Sequence, residues 1–142
     1  MHRRQSHAIV LLVVASLTVI AAAQSSLVPA TPENAAGFLG NWTLNGTGAN
    51  GPASFALTVK TEGGKVLAEI SGPVMPRVAI TDISKAATAL VLAFNFDYQG
   101  QPVPVALTLT PVDGKIGVHM DFAAGAYVLE GGATKVEPKP QP

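Results

Sequence analysis

The chain has 142 residues, 48% hydrophobic and 13% charged, with nine Lys and Arg against nine Asp and Glu and no cysteine. That length argues for one domain, and high hydrophobicity with low charge is the opposite of a disordered chain. With no basic stripe, nothing in the pattern fits a nucleic-acid-binding protein or a domain held electrostatically on an anionic membrane.

The N-terminal stretch MHRRQSHAIVLLVVASLTVIAAAQSS starts with Arg3 and Arg4, continues through an apolar run from Ala8 to Ile20 and ends in Ala21, Ala22 and Ala23. A basic start, an apolar middle and a small-residue exit are the parts of a secretory signal peptide, assigned to residues 1–23. The alternative is a membrane anchor, but a span needs about 20 apolar residues and this run is shorter. Loss of Arg3 and Arg4 leaves seven basic against nine acidic side chains, a mature charge near −2, and leaves His119 as the one histidine. Without cysteine there is no lipoprotein anchor, and an exported domain must rest on its core alone. A bacterial periplasmic or secreted location fits that, with no stable membrane insertion after cleavage.

Residues 24–36, with Pro29 and Pro32, read as a linker, and residues 37–132 as the folded domain. The pattern there has a period of two, which marks strands. Phe38, Gly40, Trp42 and Leu44 share one face, with Gly40 leaving room for the Trp42 ring to fold across the strand. The sets Phe55-Leu57-Val59, Val66-Ala68-Ile70 and Val78-Ile80 follow. The strongest alternation is LVLAFNFDY, with Leu90, Leu92, Phe94, Phe96 and Tyr98 on one side and Val91, Ala93, Asn95 and Asp97 on the other. Val103 to Leu109 and Ile116 to Phe122 repeat it, and a last strand runs near Ala126 to Glu130. DISKAATA reads as a loose connection with room for one helical turn. Pro102 and Pro104 cannot donate to a ladder and predict a bulge or a poorly paired strand start. Residues 133–142, rich in Pro and Lys, read as a disordered tail.

These elements make about eight short strands with hairpin connections such as YQGQP and VDGK, within the usual strand lengths. No connection holds a crossover helix, so the pairing is antiparallel. The expected fold is an all-β, eight-stranded antiparallel up-and-down β-barrel, because closure removes exposed edges. An open two-sheet sandwich is the alternative. An outer-membrane barrel needs an apolar outer band and aromatic girdles, whereas the second face here carries Asn95, Asp97, His119 and Asp121 and the chain is only 6% aromatic.

The triplet Gly40-Asn41-Trp42 resembles the Gly-x-Trp start of the calycins: lipocalins, fatty-acid-binding proteins and avidins. The wider pattern is similar to secreted bacterial β-barrel proteins without an assigned activity. It is carried by Gly40, Trp42, Phe55, Leu57, Val59, Lys60, Gly63, Gly64, Lys65, Val66, Ile70, Ser71 and Gly72, and then by FDYQGQPVPVALTLTPVDGKIGVHMDF. The resemblance implies a calycin-like barrel with Trp42 packed across one end. It further implies β segments that occur alone or appended to secreted hydrolases. Lipocalins pair that tryptophan with an arginine on a late strand. The one mature arginine here is Arg77, on the fourth strand, and GAYVLEGG carries none.

No catalytic constellation stands out. Nucleophilic catalysis needs a nucleophile beside an oriented base, and the mature chain has one histidine and no Gly-x-Ser-x-Gly elbow. His119 and Asp121 share a strand face but supply two of the three or four ligands that a metal requires. Asp97 and Asp121 on the outer face form a weak acid–base candidate. Asn41 and Asn45 match glycosylation sequons. The inward set is almost wholly aliphatic and aromatic, so a mostly filled barrel is expected, and any ligand is apolar. The ligand-contact candidates are Trp42, Phe55, Phe94, Phe96, Tyr98 and Phe122. The expected function is a non-enzymatic binding module for a small apolar ligand or an interaction domain, without cofactor or metal. The alternative is an accessory domain that docks to a secreted hydrolase. If the leader assignment is right, N-terminal sequencing of the exported protein reads from Gln24, and an intact Met1 in a membrane fraction refutes it.

Overall fold

The structure, a computed structural model, describes residues 27–73 and 75–137. The expected signal peptide and the end of the expected tail lie outside them. The described chain is all-β, with one short 3-10 turn at Ala36–Phe38 and no α-helix. Its strands are β1 (Val28–Pro29), β2 (Gly40–Gly48), β3 (Gly51–Glu62), β4 (Lys65–Ser71) and β5 (Val78–Ile80). They continue as β6 (Asp82–Ala86), β7 (Ala89–Tyr98), β8 (Gln101–Val112), β9 (Lys115–Phe122) and β10 (Tyr127–Lys135). All belong to one antiparallel sheet in the order β1-β6-β7-β8-β9-β10-β2-β3-β4-β5, curled as a half-barrel around a single core. The two stacked sheets of a sandwich are not formed.

The wall follows from the period-two pattern. Leu44, Leu57, Ile70, Ile80, Leu90, Leu92, Leu107, Leu109 and Met120 are almost fully buried on its concave side. Cross-strand register stacks them in rows, such as Leu92 opposite Leu107, Leu107 opposite Met120 and Met120 opposite Leu129. Burying a side chain of this size contributes about 1.5–3 kcal/mol. Among the described residues no polar or charged residue belongs to the buried core, so little desolvation cost falls on it. Tight turns join the strands. Gln99 and Gly100 (φ 52° and 79°), and Asp113 and Gly114 (φ 51° and 76°), take the paired left-handed conformation of a two-residue hairpin.

The structure departs from the sequence expectation at four points. First, there are ten strands, not eight. The expected fourth strand is β5, which pairs with β4 through Ile80, Ala79 and Val78. DISKA, expected as a loop with a helical turn, is instead β6, paired with β7 from Asp82 to Ala86. Only Thr81 separates β5 from β6, so one run of chain changes partners there. Second, the expected linker contains β1, where Val28 and Pro29 pair with Lys85 and Ser84, and a buried Ala35. Third, Phe38 lies in the 3-10 turn and not in the first strand, although it is buried as expected. Fourth, the last strand extends to Lys135, into the expected tail.

Pro102 and Pro104 take the second of their two expected outcomes, a poorly paired strand start, and no bulge forms. The β7–β8 register runs unbroken from Leu90–Leu109 to Tyr98–Gln101. In an antiparallel strand, one residue's N–H and C=O point to the same neighbour. The Pro104 carbonyl accepts from the Ala123 N–H at 2.8 Å, on the β9 side, where pairing starts only at Val105. The missing proline donors therefore face a stretch with no partner strand. This start of β8 is paired on one side alone.

At Gly131, β10 and β2 approach so closely that a methyl group would overlap the Asn45 carbonyl and the Gly46 Cα. Both contacts are backbone, which cannot swing aside. Gly131→Ala is expected to destabilise by about 2–4 kcal/mol, in the range of overpacking and strain. Urea melts followed by circular dichroism check this against Gly132→Ala, where the nearest atom would be 3.6 Å away and the effect should be under about 1 kcal/mol.

Candidate functional site

The meander puts the turns after β3, β6 and β8 at one end, and those after β2, β4, β7 and β9 at the other. The first end is plugged. Residues 31–39 cross it, started by a turn in which the Asn34 side chain accepts from the Thr31 N–H at 2.7 Å and the Thr31 hydroxyl accepts from the Asn34 N–H at 3.1 Å. Phe38 and Trp42 are buried beneath this segment, and Trp42 Nε1 donates to the Phe38 carbonyl at 2.8 Å. Lys135 stands opposite Trp42 in register, its Nζ 5.6 Å from the ring centroid. Lys85 Nζ lies 5.4 Å from the Phe38 ring. A cation therefore covers the tryptophan, but it is a lysine from the segment expected to be tail. The space left by Gly40 is filled by Lys135, since a methyl there would sit 2.9 Å from Lys135 Cε. The indole itself points into the core.

The second end is open and leads into a cavity of about 560 Å³. Phe55, Phe96, Tyr98, Phe122, Tyr127 and Leu129 are part of its lining, with Met75 and Val103 beside them. The rings form a continuous series, edge-to-face at Phe96–Tyr98 and Phe96–Phe122 and tilted at Phe122–Tyr127. Phe96 lies 6.4 Å from Tyr98 and 6.1 Å from Phe122, and Phe122 lies 5.6 Å from Tyr127. Such pairs contribute about 0.5–1.5 kcal/mol beyond their area, so the lining is held in place. The loop from Gly72 to Met75 folds back with reciprocal backbone hydrogen bonds of 3.0 and 3.3 Å and buries Met75. Two glycines leave room for the rings. A methyl at Gly72 would meet Phe55 Cδ1 at 2.5 Å, and one at Gly48 would meet the Tyr127 hydroxyl at 2.6 Å. On the rim, Ala123 and Ala124 both hold left-handed φ angles, 53° and 54°, which cost of order 1 kcal/mol each.

Of the sequence-derived contact candidates, Phe55, Phe96, Tyr98 and Phe122 come together in this cavity. Tyr98 sits on the rim and is 49% exposed, not inward with the others. Phe94 is buried outside the lining. Trp42 belongs to the opposite end, where it borders an open groove of about 710 Å³ with Lys115, Ile116, Gly132 and Lys135. Met75, Tyr127 and Leu129 were not among the candidates. Leu129 continues the alternation of β10, but Met75 lies in an irregular loop with no periodicity.

The outer face assembles little chemistry. His119 Nδ1 and Glu130 Oε1 are 3.1 Å apart on neighbouring strands, both exposed. Thr108 stands on the other side of His119 in register, yet no hydrogen bond joins the two. Asp97 and Asp121 are not brought together. Asp121 is opposite Ala106, and Ala106 opposite Ala93, four residues along β7 from Asp97. The Asp121 Oδ1 is buried without a hydrogen-bond partner among the described residues. Asn41 and Asn45 accept hydrogen bonds from Thr58 (2.8 Å) and Ser54 (2.6 Å) across β2 and β3. Among the described residues no group of His, Asp or Glu could hold a metal ion, and no helix is long and apolar enough to cross a membrane.

No protein family, curated protein or solved structure matches the chain significantly.

Trp42→Ala should destabilise by about 3–5 kcal/mol, as large core truncations do. A denaturant midpoint equal to that of the unsubstituted protein refutes the plug.

Proposed function

We propose that the chain is an exported, non-enzymatic β-barrel of calycin-like build that binds a small apolar ligand through the cavity at its open end. The observation that carries the proposal is the cavity itself. Its volume of about 560 Å³ falls within the roughly 300–1,000 Å³ of small-molecule sites, and such sites are mostly apolar with few polar groups.

The calycin-like reading treats β5 and β6 as one bent strand. With that merger and with β1 set aside as an edge addition, the sheet becomes eight strands in sequence order, in which the last pairs with the first through Ala133–Leu44 and its neighbours. The bent strand joins β4 on one side to β7 on the other. A single inward tryptophan near the start of the first strand, closed off by the preceding segment, supports the same view. Export to the periplasm or beyond rests on the composition of residues 1–23. No cofactor enters this function.

The test is titration of the purified mature protein with N-phenyl-1-naphthylamine, an uncharged probe that fluoresces in apolar surroundings. Saturable one-site binding is expected. Val103→Trp places a larger side chain in the lining and should weaken binding by at least about tenfold, or 1.4 kcal/mol. Trp42→Ala, at the other end, should leave the affinity of the folded fraction unchanged. Absence of saturable binding, or a dimer on sedimentation that hides the cavity from the probe, refutes the function.

A further inference from the structure

We infer that, if the cavity is the binding site proposed above, it selects uncharged ligands, aromatic ones included, and excludes organic carboxylates. Among the described residues the lining contains no Lys, Arg or His, and its polar side-chain atoms are the Asn50 amide and the hydroxyls of Tyr98 and Tyr127. A carboxylate that enters loses water and finds no cation in return, and burial of an unpaired charge costs several kcal/mol.

The surrounding charges reinforce this. Asp97 directly precedes Tyr98 and Asp121 directly precedes Phe122, so two carboxylates lie at the strand ends that carry the cavity rings. Among the described residues the one arginine, Arg77, lies near this end, is largely exposed and stands 3.9 Å from Glu69, which offsets its charge. Lys60, Lys65, Lys85, Lys115 and Lys135 all lie towards the plugged end, at or near the strand ends there. Along β9, Phe122 lies seven residue steps beyond Lys115, about 23 Å at roughly 3.3 Å per residue. Even the shorter span along β3 from Lys60 to the lining residue Phe55, five residue steps or about 17 Å, is about twice the Debye length of about 8 Å at physiological ionic strength, so these lysines compensate an anion at the mouth poorly. An uncharged aromatic ring meets no such cost, and Tyr98 and Tyr127, the rings of the lining that are not buried, offer it offset or edge-to-face contacts.

The experiment is displacement of bound N-phenyl-1-naphthylamine by 2-naphthol and by 2-naphthoate at neutral pH, two ligands with the same ring system but different charge. Naphthol should displace the probe at a concentration at least about tenfold lower than naphthoate. Tyr98→Lys, at an exposed rim position, should bring the two within about threefold by supplying the missing cation, whereas Tyr98→Gln should preserve the preference. Equal displacement from the unsubstituted protein, or a preference unchanged by Tyr98→Lys, overturns the selectivity and leaves the binding function standing. Failure of the probe itself to bind overturns both.

Discussion

The approach of β10 to β2 is the contact on which the rest of the structure depends. These are the last and first strands of the meander, far apart in sequence, and their pairing joins its two ends through Glu130–Thr47 to Lys135–Trp42. Without it the sheet would present two more open edges and a long apolar face to water. The approach requires a residue with no side chain, and Gly131 supplies it. Closure of long loops is slow and entropically costly, so this pairing has to be supported by what it encloses. The enclosed face is wholly apolar among the described residues, and its burial supplies that support.

Once the wall is joined, its two ends take different roles. At one end the chain itself provides a stopper: Ala35, Phe38 and Trp42 are buried, a hydrogen bond fixes the indole, and Lys135 covers it. A cation over a ring at an exposed site contributes about 0.5–1 kcal/mol, so Lys135 trims the plug but does not hold it. At the other end no segment of the described residues crosses. Met75 fills part of the space from the side, and the rings of Phe55, Phe96, Phe122 and Tyr127 keep the remainder open. The buried indole lies at one end and the free apolar surface at the other, so a change at Trp42 need not disturb the mouth.

The strand faces were readable from the sequence because period two is a direct imprint of a half-buried sheet. Leu90, Leu92, Phe94 and Phe96 are buried while Val91, Ala93, Asn95 and Asp97 are not. The Asp113–Gly114 turn was readable because few residue pairs accept two positive φ angles. The elements that escaped share a different property: their conformation is set by neighbours and not by their own residues. DISKA mixes polar and small side chains and becomes a strand because β7 offers it an edge. GGATK has little strand propensity and is held because β2 pairs with all of it and β9 with Gly131 to Ala133. Val28 and Pro29 are too short to show any period. The mouth was legible only in part, since four of its rings follow from alternation, whereas its volume depends on how non-adjacent strand ends converge.

A lining without charge constrains how such a site can discriminate. Hydrogen-bonding sites reject wrong ligands strongly because a mismatch leaves buried polar groups unpaired. Here few such groups exist, and apolar contact gains only about 25 cal/mol for each Å² removed from water, nearly regardless of chemical identity. One extra or missing methylene shifts affinity by only about 1–3 kcal/mol. A charge, by contrast, costs several kcal/mol when it is buried unpaired. Charge and overall size are therefore the two properties this cavity can sense strongly, and fine chemical identity is the one it senses least. The rings set the size limit, with Gly48 and Gly72 fixing how far Tyr127 and Phe55 stand back from the wall.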